Sequence, residues 1–237
     1  MATLLLRLAG PMQSWGVGSK LNTRNTSREP SKSAILGMIA AAFGRSRDES
    51  IDDFLVLKFG VRIDQEGTIM KDYHTAHNPD DSVLSFITNR YYLSDAVFLV
   101  GLEGDDGILQ SISNALTNPF FPLFLGRRSC PPTGKMVLGI RDYSIREALN
   151  REPWQASPWY RRRSPEELDL EIVCDASDQS DSIPIRDMPI SFSQTHRIYG
   201  FRNVSFNGAK KHIINIESKH HLEIKTTHDA FSVLKED

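Results

Sequence analysis

The sequence predicts an α+β protein with a ferredoxin-like core, and two observations lead to this class. Stretches with the spacing of strands and helices follow one another in the order strand, helix, strand, strand, helix, strand. This order is the ferredoxin-like plan, which RRM domains share. In addition, the connection between the second and third core strands is too long for a turn and has the composition of an inserted β-hairpin.

The first half of the core starts with a buried strand and a capped helix. Residues 3–8 are Leu-rich and are followed by the breaker pair GP, which is typical of a short buried strand. After the polar segment PMQSWGVGSKLNTRNTSREP, Ser31 is placed to cap a helix over KSAILGMIAAAF, and Gly44 is placed to end it. Apolar residues then alternate over residues 55–63, which predicts the second strand.

The second half of the core repeats this pattern after a long insertion. AVFLVGLEG predicts a buried strand, helical spacing begins at Ile108 and ends at the pair NP, and KMVLGIRDY predicts the fourth strand. Residues 68–93 lie between the second and third strands. Aromatic and β-branched arms flank the turn-prone run HNPDD there, so we expect a projecting hairpin, here called the thumb.

The core is expected to span residues 1–143, and a β-rich extension residues 144–237. In the extension, SIRE matches a capping box that opens a short helix, LDLEIVC and THRIYGFRNVSF have strand patterns, and DASDQSDS is a polar linker. The intervening loop PWQASPWYRRRS mixes aromatic and basic residues. Mixed aromatic and basic residues occur in nucleic-acid contacts, but such a loop is equally typical of a protein contact surface or a solvated segment.

Composition describes an ordinary globular chain with no general affinity for anions. The 237 residues carry 28 Lys and Arg against 30 Asp and Glu, so the net charge is −2 and an anionic partner must be bound by local arginine clusters. Two cysteines are too few for a disulfide framework and fit a reducing compartment. The N-terminus lacks signal-peptide features, and the longest apolar stretch is too short to cross a bilayer. We therefore expect a cytoplasmic protein without membrane partners.

The loops, rather than the sheet, carry the candidate nucleic-acid contacts. The two central strands offer one aromatic residue, Phe98, so the stacking mode of RRM domains is not expected. Cations gather before the first helix, in the loop LGRRSCPP and on the thumb. Arginine binds phosphate through a forked pair of hydrogen bonds, and bases stack on aromatic rings. Taken singly, these residues are more typical of solvated surface arginines and half-buried tyrosines than of RNA contacts.

Other chemistries have weaker support in the sequence. Gly16 and Gly18 fit no nucleotide fingerprint, because the third glycine and the Gly-Lys-Ser/Thr run are missing. His74 and His77 have the spacing of a helical metal pair but lie in the predicted hairpin without a third ligand, so no metal is expected. Lys71, Tyr73 and His74 include the groups needed for acid–base cleavage of RNA, but a structural role at the base of the hairpin is favoured.

Four motifs in the same order resemble a known family. LLLRLAGPMQSWG, SREPSKSAILGMIAAAFG, DYHTA and LGRRSCPP are similar to the CasD family of type I-E CRISPR Cascade subunits, within the RAMP superfamily. The resemblance covers residues 1–143 and, more weakly, RDMPISFSQTHRIYGFR. It implies a non-catalytic subunit with a ferredoxin-like core and a thumb, which caps the 5′ handle of the crRNA, touches the backbone and large subunits, and meets target DNA only through the complex. No cofactor is implied.

The resemblance also implies which residues hold the handle. The implied RNA-binding residues are Gln13, Ser14, Trp15, Gly16, Arg24, Arg28, Lys32, Arg127, Arg128, Ser129 and Cys130, with Tyr73, His74, Arg90 and Tyr91 on the thumb. The loop LGRRSCPP would clamp the RNA backbone, with its prolines keeping it rigid. The alternative, from type I-C relatives, is a metal-independent endoribonuclease that processes precursor crRNA. A protein scaffold without RNA contact would leave the arginine loops unexplained.

Overall fold

The computed structural model describes residues 1–16, 23–76, 86–176, 182–205 and 209–219. Its strands are β1 (Ala2–Ala9), β2 (Met12–Gln13), β3 (Thr23–Arg24), β4 (Lys58–Gln65), β5 (Thr68–Ala76), β6 (Phe86–Ser94), β7 (Val97–Gly104), β8 (Val137–Arg141), β9 (Glu167–Asp175), β10 (Ser182–Ser191), β11 (Ile198–Ser205) and β12 (Lys210–Ile214). Its helices are α1 (Lys32–Ala42), α2 (Asp52–Leu55), α3 (Asp106–Thr117), α4 (Ile145–Arg151) and α5 (Pro158–Arg163). No helix in the described ranges is long and apolar enough to span a membrane.

The main sheet confirms the predicted fold class. Its strand order is β10-β11-β9-β4-β7-β1-β8, and β12 also pairs with β9. The four core strands therefore lie in the order β4-β7-β1-β8, with antiparallel neighbours throughout. This is the ferredoxin-like arrangement, in which the first and third strands are central. The extension continues the same sheet through β9, and the division at residue 143 stays a prediction.

Alternating side chains of the central strands build the main hydrophobic core. Leu4, Leu6 and Leu8 of β1 are fully buried on one face, where they share a cluster with apolar side chains of α1 and α3. α1 begins at the predicted cap, since the Ser31 hydroxyl accepts a hydrogen bond from the Ala34 amide. The two helices thus cover this face and fix the direction of the chain entering and leaving them.

The opposite face of the sheet is closed by α4. Leu5 and Leu99 are buried on this face and share a cluster with Ile145 and Leu149 of α4. Phe98 belongs instead to the cluster that contains α1 and α3. The central strands therefore present no aromatic stacking surface, as the sequence predicted.

The predicted thumb is present as an antiparallel hairpin of β5 and β6. The register runs from Thr68 opposite Ser94 to Ala76 opposite Phe86. The predicted turn HNPDD lies outside the described residues. The base of β6 also pairs with β2, antiparallel, and with β3, parallel, so two short segments of the N-terminal loop are joined to the thumb.

Several predicted boundaries are wrong. Leu55 ends the short helix α2 rather than starting a strand, and β4 begins at Lys58. Residues 158–163 form α5 instead of a loop, with proline at the first turn, where it requires no amide donor. Ser144 stands at the N-cap of α4, but its side chain makes no capping hydrogen bond, so the capping box is not formed. β10 and β12 were not predicted at all.

A buried ion pair fixes the chain that leaves α4. Arg62 and Asp64 have fully buried side chains and form two hydrogen bonds, at 2.5 Å and 2.8 Å. The same guanidinium donates to the carbonyl oxygens of Leu149, Glu152 and Pro153. Because the buried Arg62 guanidinium binds all of these groups, the segment between α4 and α5 is held at the end of β4.

Candidate nucleic-acid interface

Three separate segments predicted to bind RNA meet beside the base of the thumb. The Ser14 amide donates to the Leu125 carbonyl at 3.1 Å, and the Ser14 hydroxyl donates to the Tyr91 carbonyl at 3.1 Å. Arg24 on β3 lies opposite Arg90 on β6. The N-terminal segment, the thumb and the arginine loop 125–132 therefore form one surface, here called the thumb-base site.

Gln13 and Trp15 support this site from inside. The Gln13 side chain is buried and donates to the Ala96 carbonyl at 2.7 Å, and its oxygen accepts from the Trp15 indole at 3.1 Å. The Trp15 amide donates to the Thr26 hydroxyl at 2.8 Å, and Trp15 itself is 1% exposed. These side chains hold backbone in place and have no surface to offer a ligand. Gly16, which follows them, is exposed.

Internal hydrogen bonds fix the backbone of the arginine loop, and the loop packs closely against the Ser14 carbonyl. The Leu125 amide donates to the Cys130 carbonyl at 2.7 Å, and the Cys130 amide donates to the Arg127 carbonyl at 2.9 Å. Gly126 has φ +86°, and a Cβ there would lie 1.7 Å from the Ser14 carbonyl oxygen. Only glycine permits both this conformation and this approach. The loop therefore presents its arginines from a fixed backbone.

Arg127 is positioned by a tyrosine ring and by main-chain carbonyls. Its guanidinium carbon lies 4.7 Å from the centre of the Tyr92 ring, and Nη2 donates to the Arg24 carbonyl at 2.9 Å. No described carboxylate forms an ion pair with Arg127, so the plane of its guanidinium is fixed by uncharged groups.

Unsatisfied polar atoms gather at this site. Within the described residues, the buried side-chain nitrogen and oxygen atoms without a hydrogen-bond partner are Asn89 Oδ1, Arg90 Nε and Arg127 Nη1. Arg90 and Tyr92, the ring that Arg127 contacts, are two residues apart on β6 and share one face of the hairpin, whereas Asn89 lies on the other face. Buried polar groups are rarely left unpaired, so the free nitrogens of Arg90 and Arg127 mark a place where a ligand can supply the missing acceptors.

The other predicted residues divide into outward and inward groups. Arg24, Arg28, Arg128 and Ser129 are exposed, and no carboxylate pairs with these arginines in the described part of the chain. Cys130 is fully buried, and burial raises the pKa of its thiol, so it packs rather than reacts.

Lys32 is committed to a buried ion network away from this surface. Its side chain is 5% exposed, and Nζ lies 2.9 Å from the Asp175 carboxylate. Its amide donates to the Asp187 carboxylate at 2.9 Å, and Arg202 bridges both aspartates. The charge of Lys32 is therefore neutralised within the fold.

Tyr73 and His74 lie further out on the thumb. Both are exposed; Tyr73 is opposite Asn89 and His74 opposite Thr88. Successive residues of a strand point to opposite faces, so these two side chains do not converge on one substrate atom. No three His, Cys, Asp or Glu side chains gather as metal ligands among the described residues, and His77 lies outside them.

Sequence reasoning missed two features of the site. The first is the role of Gly126, which an isolated glycine ahead of a polar turn could have signalled. The second is the use of β3 carbonyls to hold Arg127, for which the sequence carries no signal, because any residue supplies a carbonyl.

The strand order, the inserted thumb and the loops at its base define a ferredoxin-like protein of the RAMP type. The chain belongs to the family described as CRISPR-associated protein (Cas_Cas5), whose family model matches residues 3–205.

Relatives and solved structures agree with this family. The CRISPR system Cascade subunit CasD of Escherichia coli (strain K12) is 34% identical over 172 residues, covering 63% of this chain and 77% of the relative. A chain of a CRISPR RNA-guided surveillance complex superposes with a TM-score of 0.73 at 32% identity, covering 86% of this chain and 88% of the other. A crystal structure of a Cas protein superposes with a TM-score of 0.67 at 34% identity, covering 91% of this chain and 97% of the other.

Proposed function

We propose that this chain is a crRNA-binding subunit of a CRISPR Cascade complex in antiviral defence, and that it caps the 5′ handle of the crRNA without cutting it. Its further partners are the other Cascade subunits, and it meets target DNA only through the complex. The names of the relatives, a Cascade subunit and a surveillance complex guided by RNA, support this assignment.

The observation that carries the proposal is the thumb-base site. Arg24, Arg127 and Arg128 are close together there without carboxylate partners, and Arg127 and Arg90 hold donor atoms without an acceptor, both within the described residues. Fixed guanidinium groups suit the repeated phosphates of an RNA strand, which supply paired acceptor oxygens. The rigid loop lets this contact form with little loss of conformational entropy.

The positions of Tyr73 and His74 favour a binding role over the endoribonuclease alternative. General acid–base cleavage needs two groups that reach the same ribose and phosphate. Lys71 and Tyr73 share one face of the hairpin and His74 lies on the other, so the three candidate groups do not meet at one bond. The thumb is thus better suited to contact RNA along its length than to cut it at one bond.

A binding and cleavage assay with repeat RNA in EDTA tests the proposal. We expect the purified chain to retain the RNA bearing the handle and to leave it intact. H74A serves as the matched variant, since it removes the only described thumb imidazole without touching the arginine loop. Metal-independent cleavage that H74A abolishes would establish the endoribonuclease. Absence of RNA binding at low salt would exclude both functions.

A further inference from the structure

The outer surface of α5 carries an exposed tryptophan between cations. Trp159 is 43% exposed, whereas Trp15 and Trp154 are 1% and 8% exposed. The Arg163 guanidinium carbon lies 5.8 Å from the centre of the Trp159 ring, and Arg162 and Arg163 are both exposed. Exposed tryptophan beside arginine is a combination that stacks on bases and pairs with phosphates.

α5 is held in place by the rest of the chain. The Ser157 amide before it donates to the Gln65 side-chain oxygen at 3.0 Å. After it, the Asn215 amide group donates to the Arg161 carbonyl at 2.7 Å, and the Lys219 amide donates to the Arg162 carbonyl at 2.9 Å. This short helix therefore has a defined position without a long hydrophobic face of its own.

The cations of α5 differ in how they are used. Arg161 is engaged, since it pairs with Glu217 at 2.9 Å and donates to two carbonyls. Arg162 and Arg163 form no ion pair with any residue that the structure describes. The exposed Lys219 adds a third positive charge beside Arg162. Neighbouring positive charges repel one another, and a bound polyanion replaces this repulsion with attraction.

α5 also lies at the same end of the sheet as the thumb-base site. Gln65, which anchors the helix, is the last residue of β4 and lies opposite Val97. Its side chain also donates to the Asp95 carbonyl at the end of the thumb. Gln13 reaches the adjacent Ala96 carbonyl from the other side. The thumb-base site and the basic surface of α5 are therefore both anchored to the chain at Asp95 and Ala96.

We propose that Trp159, Arg162, Arg163 and Lys219 form a second binding site, which takes single-stranded nucleic acid by stacking a base on Trp159 and pairing phosphates with the cations. The class of ligand follows from the site itself: every nucleotide of a single strand offers a flat ring together with a negative charge, whereas the acidic side chains of a protein carry no ring. The site is independent of the residues that hold the handle.

Titration of the full chain with oligouridine and oligothymidine of about 12 nucleotides tests this site. Tryptophan fluorescence should be quenched, and the quenching should disappear in W159F, because the other two tryptophans are buried. W159A should weaken binding roughly 5- to 150-fold. R162A/R163A should flatten the salt dependence of log K by about 0.7 for each lost contact. R146A/R197A, which removes the same charge from exposed positions elsewhere, should match wild type.

The two oligonucleotides separate the possible sources of the strand. Preference for oligouridine identifies an RNA segment, and equal binding or preference for oligothymidine identifies a site open to DNA. R127A/R128A should bind handle RNA weakly while keeping the quenching, so loss of the handle function leaves this inference standing. The proposal is overturned if the α5 variants bind both oligonucleotides as wild type does. Reduced assembly with other Cascade subunits in those same variants would then assign the surface to protein contact.

Discussion

The two arginines of loop 125–132 should behave differently when each is changed to alanine. Arg127 contacts the Tyr92 ring and the Arg24 carbonyl, whereas Arg128 is exposed and makes no such contact in the described part of the chain. The ring contact contributes about 0.5–1 kcal/mol, and the charged hydrogen bond contributes about 1.5 kcal/mol. R127A should therefore destabilise the protein by about 2 kcal/mol. R128A should stay within about 0.5 kcal/mol of wild type.

Thermal unfolding and RNA binding on the same preparations separate stability from affinity. For a chain of this size, the loss in R127A corresponds to a Tm lower by about 4–8 °C. In both variants, the slope of log K for handle RNA against log [salt] should be smaller by about 0.7. R127K should keep the charge and recover only part of the affinity, because lysine cannot form the fork. R47A, at an exposed position elsewhere, is the control.

Two results would refute this reasoning. Equal melting temperatures for R127A and R128A would mean that the ring and carbonyl contacts contribute nothing to the fold. An unchanged salt slope in both variants would mean that neither arginine meets a phosphate, and the thumb-base site would then lose its main support.

Three other predictions concern the framework of the fold. G126A should lower the free energy of unfolding in urea by about 1–3 kcal/mol and weaken handle binding, because its Cβ would clash with the Ser14 carbonyl. A G126A variant as stable as wild type would contradict this close approach. R62M should lower the free energy of unfolding by about 3–5 kcal/mol, because Asp64 stays buried without its cationic partner. Adding D64L should restore part of this loss, and losses that simply add in the double variant would argue against the pairing. Burial raises the pKa of Cys174 to about 11, so a thiol reagent at neutral pH should modify it only after denaturation; rapid native labelling would show that it is accessible.

The core was predictable because its signals are local. Ser31 and Gly44 bound α1 through their own backbone preferences, and the alternation in β1 and β7 marks the buried faces. β10 escaped prediction because it contains Pro184 and Pro189, which argue against a central strand. It is an edge strand, where proline is tolerated because one side needs no donor. Leu55 continued the alternation of β4 by coincidence, since a four-residue helix has no period of its own to read.

The candidate site was less predictable because its contacts are distant in sequence. The motifs indicated which loops are basic, and the structure brings the segments of Ser14, Arg24 and Arg127 together. The sequence could not show that Lys32 is neutralised by Asp175, a residue 143 positions later. Two lysines or arginines that look alike in the sequence can thus differ completely in what charge they offer outside.

A chain with a net charge of −2 can still offer basic surfaces, because its cations differ in whether they are paired. Lys32, Arg62 and Arg202 are paired with Asp175, Asp64 and Asp187 within the fold, so these three cations add little to the charge of the surface. The cations without carboxylate partners among the described residues include Arg24, Arg28, Arg90, Arg127, Arg128, Arg162 and Arg163. Local potential depends on which charges remain uncompensated, because screening confines each to about 8–10 Å. The basic surfaces described above therefore follow from where the unpaired cations lie, whatever the total charge of the chain.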